Sequence, residues 1–153
     1  MHIILANDHA GVELKRIVAE HLESLGHTYT NLGTDSTAST DYPLYGSNAA
    51  RLVVAGEGEL GILICGAGVG MSISANKVPG ARCVLATEPF TAHMGRAHNN
   101  ANLLSMGARV VGPDMAKAIV DEFLTTQWEG GERHARRVGE IAQLDEGAEL
   151  PLP

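Results

Sequence analysis

Gly61-Ile62-Leu63-Ile64-Cys65-Gly66-Ala67-Gly68-Val69-Gly70-Met71-Ser72-Ile73-Ser74-Ala75-Asn76 decides how the rest of the chain is read. Its apolar opening, Ile62 to Ile64 bounded by glycine, predicts a strand buried on both faces. Cys65 and three glycines in five residues (Gly66, Gly68, Gly70) follow, and Met71 to Ala75 can enter a helix. A nucleophilic side chain at the carboxyl end of a strand thus meets main-chain N–H groups at a helix start. Such an arrangement holds a thiolate close to an oxyanion.

Working outward, His2 to Ala6 predicts a first strand and Asn7-Asp8-His9-Ala10-Gly11 a turn into a helix over Val12–Leu25, stopped by Gly26. His27 to Leu32 alternates as a second strand, and Gly33 to Asp41 is a polar loop. Asp41-Tyr42-Pro43 opens a helix to about Ala55, with Asp41 as its N-cap. Arg82 to Thr87 predicts strand four, Thr87-Glu88-Pro89 a helix towards His98, and Arg109-Val110-Val111 strand five. Gly112-Pro113-Asp114 begins a helix through Leu124, and a last helix runs from about Arg133 to Leu144.

Strands alternating with helices over 153 residues predict one α/β domain over 1–153. It is a three-layer, doubly wound, Rossmann-like sheet of five parallel strands in the order 2-1-3-4-5, with residues from about 146 onward as a tail. The switch point then lies between strands one and three. Asp8, His9 and Cys65 meet there. His9 and His98, at carboxyl ends of elements, are expected to face the same crevice, and Asn99 beside His98 suits sugar hydroxyls.

Composition narrows the function. A net charge of −7 argues against nucleic acid or an anionic membrane surface as partner. No apolar run approaches the roughly 20 residues a bilayer needs, and the N-terminus lacks the basic and apolar regions of a signal peptide. Two cysteines, Cys65 and Cys83, fit a reducing cytoplasm, with Cys83 in the core. Among eleven Lys and Arg residues, Arg133, Arg136 and Arg137 fall together beside His134, a cluster that reads either as a small-anion site or as a solvated helix face.

Dinucleotide motifs fail. The glycines after Cys65 place Met71 where the fingerprint needs its third glycine, and Gly56-Glu57-Gly58-Glu59-Leu60-Gly61 precedes its strand and carries two glutamates. Seven histidines form no H-x-x-x-H, H-E-x-x-H or C-x-x-C pattern, so neither a metal nor a cofactor is expected. Cys65 itself could be an inert core thiol or a reactive one.

With those residues in hand, the chain resembles the ribose/galactose-phosphate isomerase family, the type B ribose-5-phosphate isomerases. The resemblance rests on Asn7 to Gly11, Thr40 to Pro43, Ile62 to Gly70, Ala75-Asn76-Lys77, His98 to Asn102, Ser105 to Gly112 and Glu129 through Arg137. It implies a metal-free aldose–ketose isomerase of a small phosphorylated sugar, ribose 5-phosphate to ribulose 5-phosphate or a tetrulose, allose or galactose phosphate. A non-catalytic sugar-phosphate-binding module on the same fold is the alternative.

By the family's roles, Cys65 moves the proton between C2 and C1, His98 opens the ring and Asp8 assists at the sugar oxygens. Gly66, Ala67, Gly68, Val69 and Gly70 steady the enediolate, and Asp41 and Tyr42 line the pocket. His9, Arg109, Arg133, His134 and Arg137 hold the phosphate. The family also implies a homodimer or homotetramer with shared sites, the C-terminal helix docking on a partner subunit. One departure stands out: Ala67 occupies a position commonly held by threonine.

Overall fold

A computed structural model describes residues 1–152. The strands are β1 (His2–Asn7), β2 (Thr28–Asn31), β3 (Leu60–Cys65), β4 (Cys83–Leu85) and β5 (Leu103–Gly107). The helices are α1 (Val12–Ser24), α2 (Tyr42–Val54), α3 (Val69–Ala75), α4 (Pro89–Asn99), α5 (Pro113–Thr125) and α6 (Glu132–Asp145), and a 3-10 turn over His9–Gly11 leads into α1. Every strand pairing is parallel.

Alternation along β1 explains the three layers. Ile3 and Leu5 point to one face, with Leu14, Val18 and Leu22 of α1 and Ile119, Val120 and Phe123 of α5. Ile4 and Ala6 point to the other, with Ala49, Ala50 and Val53 of α2 and Met71 and Ala75 of α3. β3 divides in the same way, so its apolar run is unbroken because both faces are covered.

The strand order is 2-1-3-5-4, which corrects the expected 2-1-3-4-5. Strand five is Leu103–Gly107, and Arg109-Val110-Val111 is not a strand: the N–H groups of Val110 and Val111 both donate to the Gly107 carbonyl, closing a turn. The reason is burial. All five residues of β5 are buried, as an interior strand requires, whereas the three residues of β4 are each partly exposed. β4 is therefore the edge.

One helix start differs in detail from expectation. Asp41 occupies the N-cap of α2 in an extended conformation, but its carboxylate makes no capping hydrogen bond. Glu88 caps α4 by accepting the Thr91 N–H. α6 rests on its own chain: His134 is its one buried residue, and Asp145 accepts the Gly80 N–H at 2.7 Å. Ile141 and Leu144 line a cavity of about 410 Å³ over Cys83, Val84 and Asn99. The tail doubles back along α6, where Leu150 and Pro151 meet Arg136, Gly139 and Gln143.

Candidate active site

The carboxyl edge of β1 and β3 carries one group of the expected residues. Register sets Asn7 beside Ile64, so Asp8 and Cys65 leave adjacent strands at the same level. Asp8 is 5 % exposed; its N–H donates to the Ile64 carbonyl at 3.1 Å, and its Oδ1 accepts the Ala10 N–H at 2.9 Å. Gly11 makes this approach possible, since a Cβ there would lie 2.7 Å from the Ile64 oxygen. His9 Nδ1 accepts the Thr40 N–H at 3.2 Å, which leaves Nε2 as the protonated nitrogen of the neutral ring.

Cys65 is 5 % exposed, and its Sγ accepts the main-chain N–H of Gly68 at 3.1 Å. The sulfur therefore sits under the glycine loop, in polar contact with it. Gly68 turns the loop with φ +77°, a left-handed conformation that suits glycine. Three groups clamp the loop from β5: Ser105 Oγ donates to the Gly68 carbonyl at 2.6 Å, and the N–H groups of Ala108 and Arg109 donate to the carbonyls of Cys65 and Gly66 at 2.8 and 3.0 Å. Gly107 lets the loop lie flat on β5, because a Cβ there would be 2.6 Å from the Ala67 carbonyl carbon.

Side chains then close the rim. The Tyr42 ring lies on Gly70, whose Cβ, if it had one, would overlap ring carbons at 2.6 to 2.8 Å. The Arg109 guanidinium lies against Gly66, 3.4 Å from where a Cβ would be, and Arg109 is exposed. Asp41, Ala67 and Val69 are exposed around the same mouth. Thr40, Ser105 and Gly107 lie in segments that carry the resemblance but receive no role from the sequence, although a lone serine inside the apolar run Leu103-Leu104-Ser105-Met106 is a readable signal.

The second group lies at the other edge of the sheet. His98 and Asn99 end α4, and α4 runs antiparallel to the strands, so its carboxyl end returns to their amino edge. Arg82, just before β4, fixes that end: its Nε donates to the carbonyls of Asn99 and Asn100 at 3.1 and 2.9 Å. The eleven residues of α4 measure about 16 Å. His98 therefore does not share a crevice with His9 and Cys65 of its own chain, which corrects the expectation. The carboxyl end of a strand meets the amino ends of helices, not their carboxyl ends.

At this second edge the His98 and His134 rings stack with centroids 4.2 Å apart and planes 15° from parallel. Glu129 Oε2 lies 3.6 Å from His98 Nε2 and 3.7 Å from His134 Nε2. Arg133 Nη2 is 3.2 Å from His134 Nε2, and Arg133 and Arg137 are exposed. Burial of the ring, then the neighbouring charges of His98 and Arg133, push His134 below the ordinary histidine range against the pull of Glu129. This half has cations and hydroxyl-binding groups. Cys65 and its glycine loop lie at the opposite edge.

Comparisons with known proteins point to one family. The sequence profile of the family described as Ribose/Galactose Isomerase matches residues 3–141. Ribose-5-phosphate isomerase B of Escherichia coli strain K12 is 48% identical over 139 residues, covering 91% of this chain and 93% of the relative. The structure of ribose-5-phosphate isomerase B from Clostridium thermocellum superposes with a TM-score of 0.94 at 46% identity, covering 96% of this chain and 99% of that one. The enzyme from Mycoplasma genitalium, solved with bound ribulose-5-phosphate, gives 0.91 at 39% identity, covering 96% and 97%. The chain belongs to the ribose/galactose isomerase family.

Proposed function

We propose that this protein is an aldose–ketose isomerase that interconverts ribose 5-phosphate and ribulose 5-phosphate. The observation that carries the proposal is the Cys65 sulfur held at 3.1 Å from the Gly68 N–H, under the glycine loop that leads into α3. The thiolate takes the proton from C2 of the open aldose. The electron pair left behind forms the C1–C2 double bond, and the carbonyl electrons move to O1, giving an enediolate. The proton returns from sulfur to C1, while Asp8 carries the hydroxyl proton between O2 and O1. No electron enters or leaves, so the step needs no redox partner.

A carbon acid beside a carbonyl is weak, and the enediolate must be stabilised where its charge appears. Fixed N–H dipoles of Gly66 to Gly70 do so without reorganising; deleting one such donor in other enzymes costs roughly 100- to 1,000-fold in rate. Tyr42 and Asp41 line the entrance. Arg109 and His9 take part of the phosphate charge, and planar guanidinium groups suit it because they can bind two oxygens at once.

The remaining roles fall to residues at the other edge, so the proposed catalytic unit is a pair of chains. His98 of a second copy opens the sugar ring, passing a proton between the ring oxygen and the anomeric hydroxyl. Asn99, Arg133, His134 and Arg137 of that copy complete the sugar and phosphate contacts. Supporting this reading, Leu44 near Tyr42 in α2, Val69 at the start of α3 and Ile73 one turn further on are 60%, 46% and 57% exposed. They form an apolar rim suited to a symmetric partner. No helix among the described residues is long and apolar enough to cross a membrane, and a cytoplasmic location fits the two free thiols.

The test is aldose–ketose conversion across C4 to C6 sugar phosphates in the presence of chelator, with solvent exchange at C2 followed in heavy water. The proposal expects ribose 5-phosphate to be turned over fastest, with isotope entering at the transferred position. Tight binding without exchange would mean a non-catalytic binding module instead.

A further inference from the structure

We propose that His98, Glu129 and His134 form an inhibitory site for a borderline-soft divalent cation of the zinc type. The three residues are far apart in sequence, so no short ligand motif announces them. α4 supplies His98, α6 supplies His134, and Glu129 arrives on the connecting segment, where its N–H donates to the Ala97 carbonyl at 3.1 Å. One nitrogen of each imidazole and one carboxylate oxygen lie within 4.8 Å of one another, and Glu129 Oε2 is 3.6 Å from His98 Nε2 and 3.7 Å from His134 Nε2.

A tetrahedral zinc with bonds of about 2.0–2.1 Å spaces its donors roughly 3.3 Å apart. Binding would turn the partly exposed His98 ring out of its stack on His134, so that both ring planes contain the ion, and would leave the fourth position to water. Two imidazoles with one carboxylate is a donor set that zinc accepts, and it is poor for magnesium or calcium, which take oxygen. Glu129 is exposed and gives an entry path, while His134 is buried and His98 is exposed enough to turn towards the ion. One group opposes the ion: the Arg133 guanidinium stands 3.2 Å from His134 Nε2, and being exposed it can swing clear.

The site would matter because a metal on His98 Nε2 occupies the lone pair that ring opening uses, and it displaces Arg133 from the substrate. The inhibition arm rests on the isomerase reading above; the binding arm does not. The experiment titrates zinc, against a chromophoric chelator, into the full-length protein and into Glu129→Gln, and repeats the titration with magnesium.

One zinc per chain, weakened about tenfold or more by Glu129→Gln, and no magnesium binding are expected. Arg133→Ala should bind zinc at least as tightly as the unaltered protein. In the isomerase assay zinc should inhibit, chelator should reverse it, and saturating substrate should raise the zinc needed. Glu129→Gln should need correspondingly more zinc to lose half of its own rate. Equal zinc affinity in Glu129→Gln and the unaltered protein overturns the site, as does the absence of stoichiometric binding at micromolar zinc. Zinc binding by a chain without isomerase activity would leave the site standing and remove the proposed function.

Discussion

Gly68 donates its N–H to the Cys65 sulfur while its carbonyl accepts the Ser105 hydroxyl, so one peptide unit ties the thiol to β5. The loop is thereby fixed from below by β5 and from above by Tyr42, with little freedom left between Cys65 and Gly70.

Gly68→Ala should be among the most damaging small substitutions. Its φ of +77° is unfavourable for alanine, and the new Cβ would lie 2.5 Å from Leu85 Cδ1 and 2.8 Å from the Met106 carbonyl carbon. A loss of about 1–3 kcal/mol in urea unfolding is expected, with turnover falling further than stability explains.

Ser105→Ala removes a buried hydroxyl and leaves the Gly68 carbonyl with the Ser72 N–H as its one remaining donor. We expect a modest stability loss of about 1–2 kcal/mol together with a lower kcat and a nearly unchanged KM. A stability loss with kcat unchanged would mean that Ser105 serves only folding.

Ala67→Thr restores a hydroxyl at an exposed position whose main chain already lies flat on Gly107. Stability should change little. Turnover of ribose 5-phosphate should rise, by up to about tenfold if the hydroxyl reaches the enediolate oxygen; kinetics on both proteins under one set of conditions decide it.

Burial pushes the Cys83 thiol up to about 12, against a weaker pull from Ser72. The unfolded chain ionises this thiol near its ordinary value while the folded chain keeps it protonated. Its contribution is therefore complete below about pH 9 and is lost as pH rises from there towards the folded value. Urea midpoints measured from about pH 8 to 10.5 should fall less steeply in Cys83→Ala than in the unaltered protein.

Much of the fold was legible because β1 and β3 announce themselves as apolar runs and because glycine and proline punctuate the helices. The meeting of Asp8 and Cys65 followed from topology alone. β5 was misread because Arg109-Val110-Val111 has the β-branched look of a strand, while Leu103 to Gly107 looks like the tail of a helix-terminal loop. What decided between them was coverage by neighbours, a tertiary quantity. His98 was placed at the wrong edge for a geometric reason: helices and strands in this fold run in opposite senses. The stack of His98 on His134, and the arrival of Glu129 beside both, depend on how α6 lies across α4, and no local pattern encodes that contact.

Cys65→Ser and His98→Asn should each lower kcat by orders of magnitude, the first with little change in substrate binding. Arg137→Ala should mainly raise KM. These single variants locate roles, but they do not separate one chain from two.

Mixing them does. Cys65→Ser and His98→Asn chains, unfolded together in equal amounts and refolded, form pairs in which a mixed pair holds one site with both lesions and one with neither. Random pairing of a two-chain unit predicts recovery of roughly a quarter of the unaltered activity, far above either parent. Activity no greater than the mean of the two parents would contradict the shared site, and with it the proposed division of labour between Cys65 and His98.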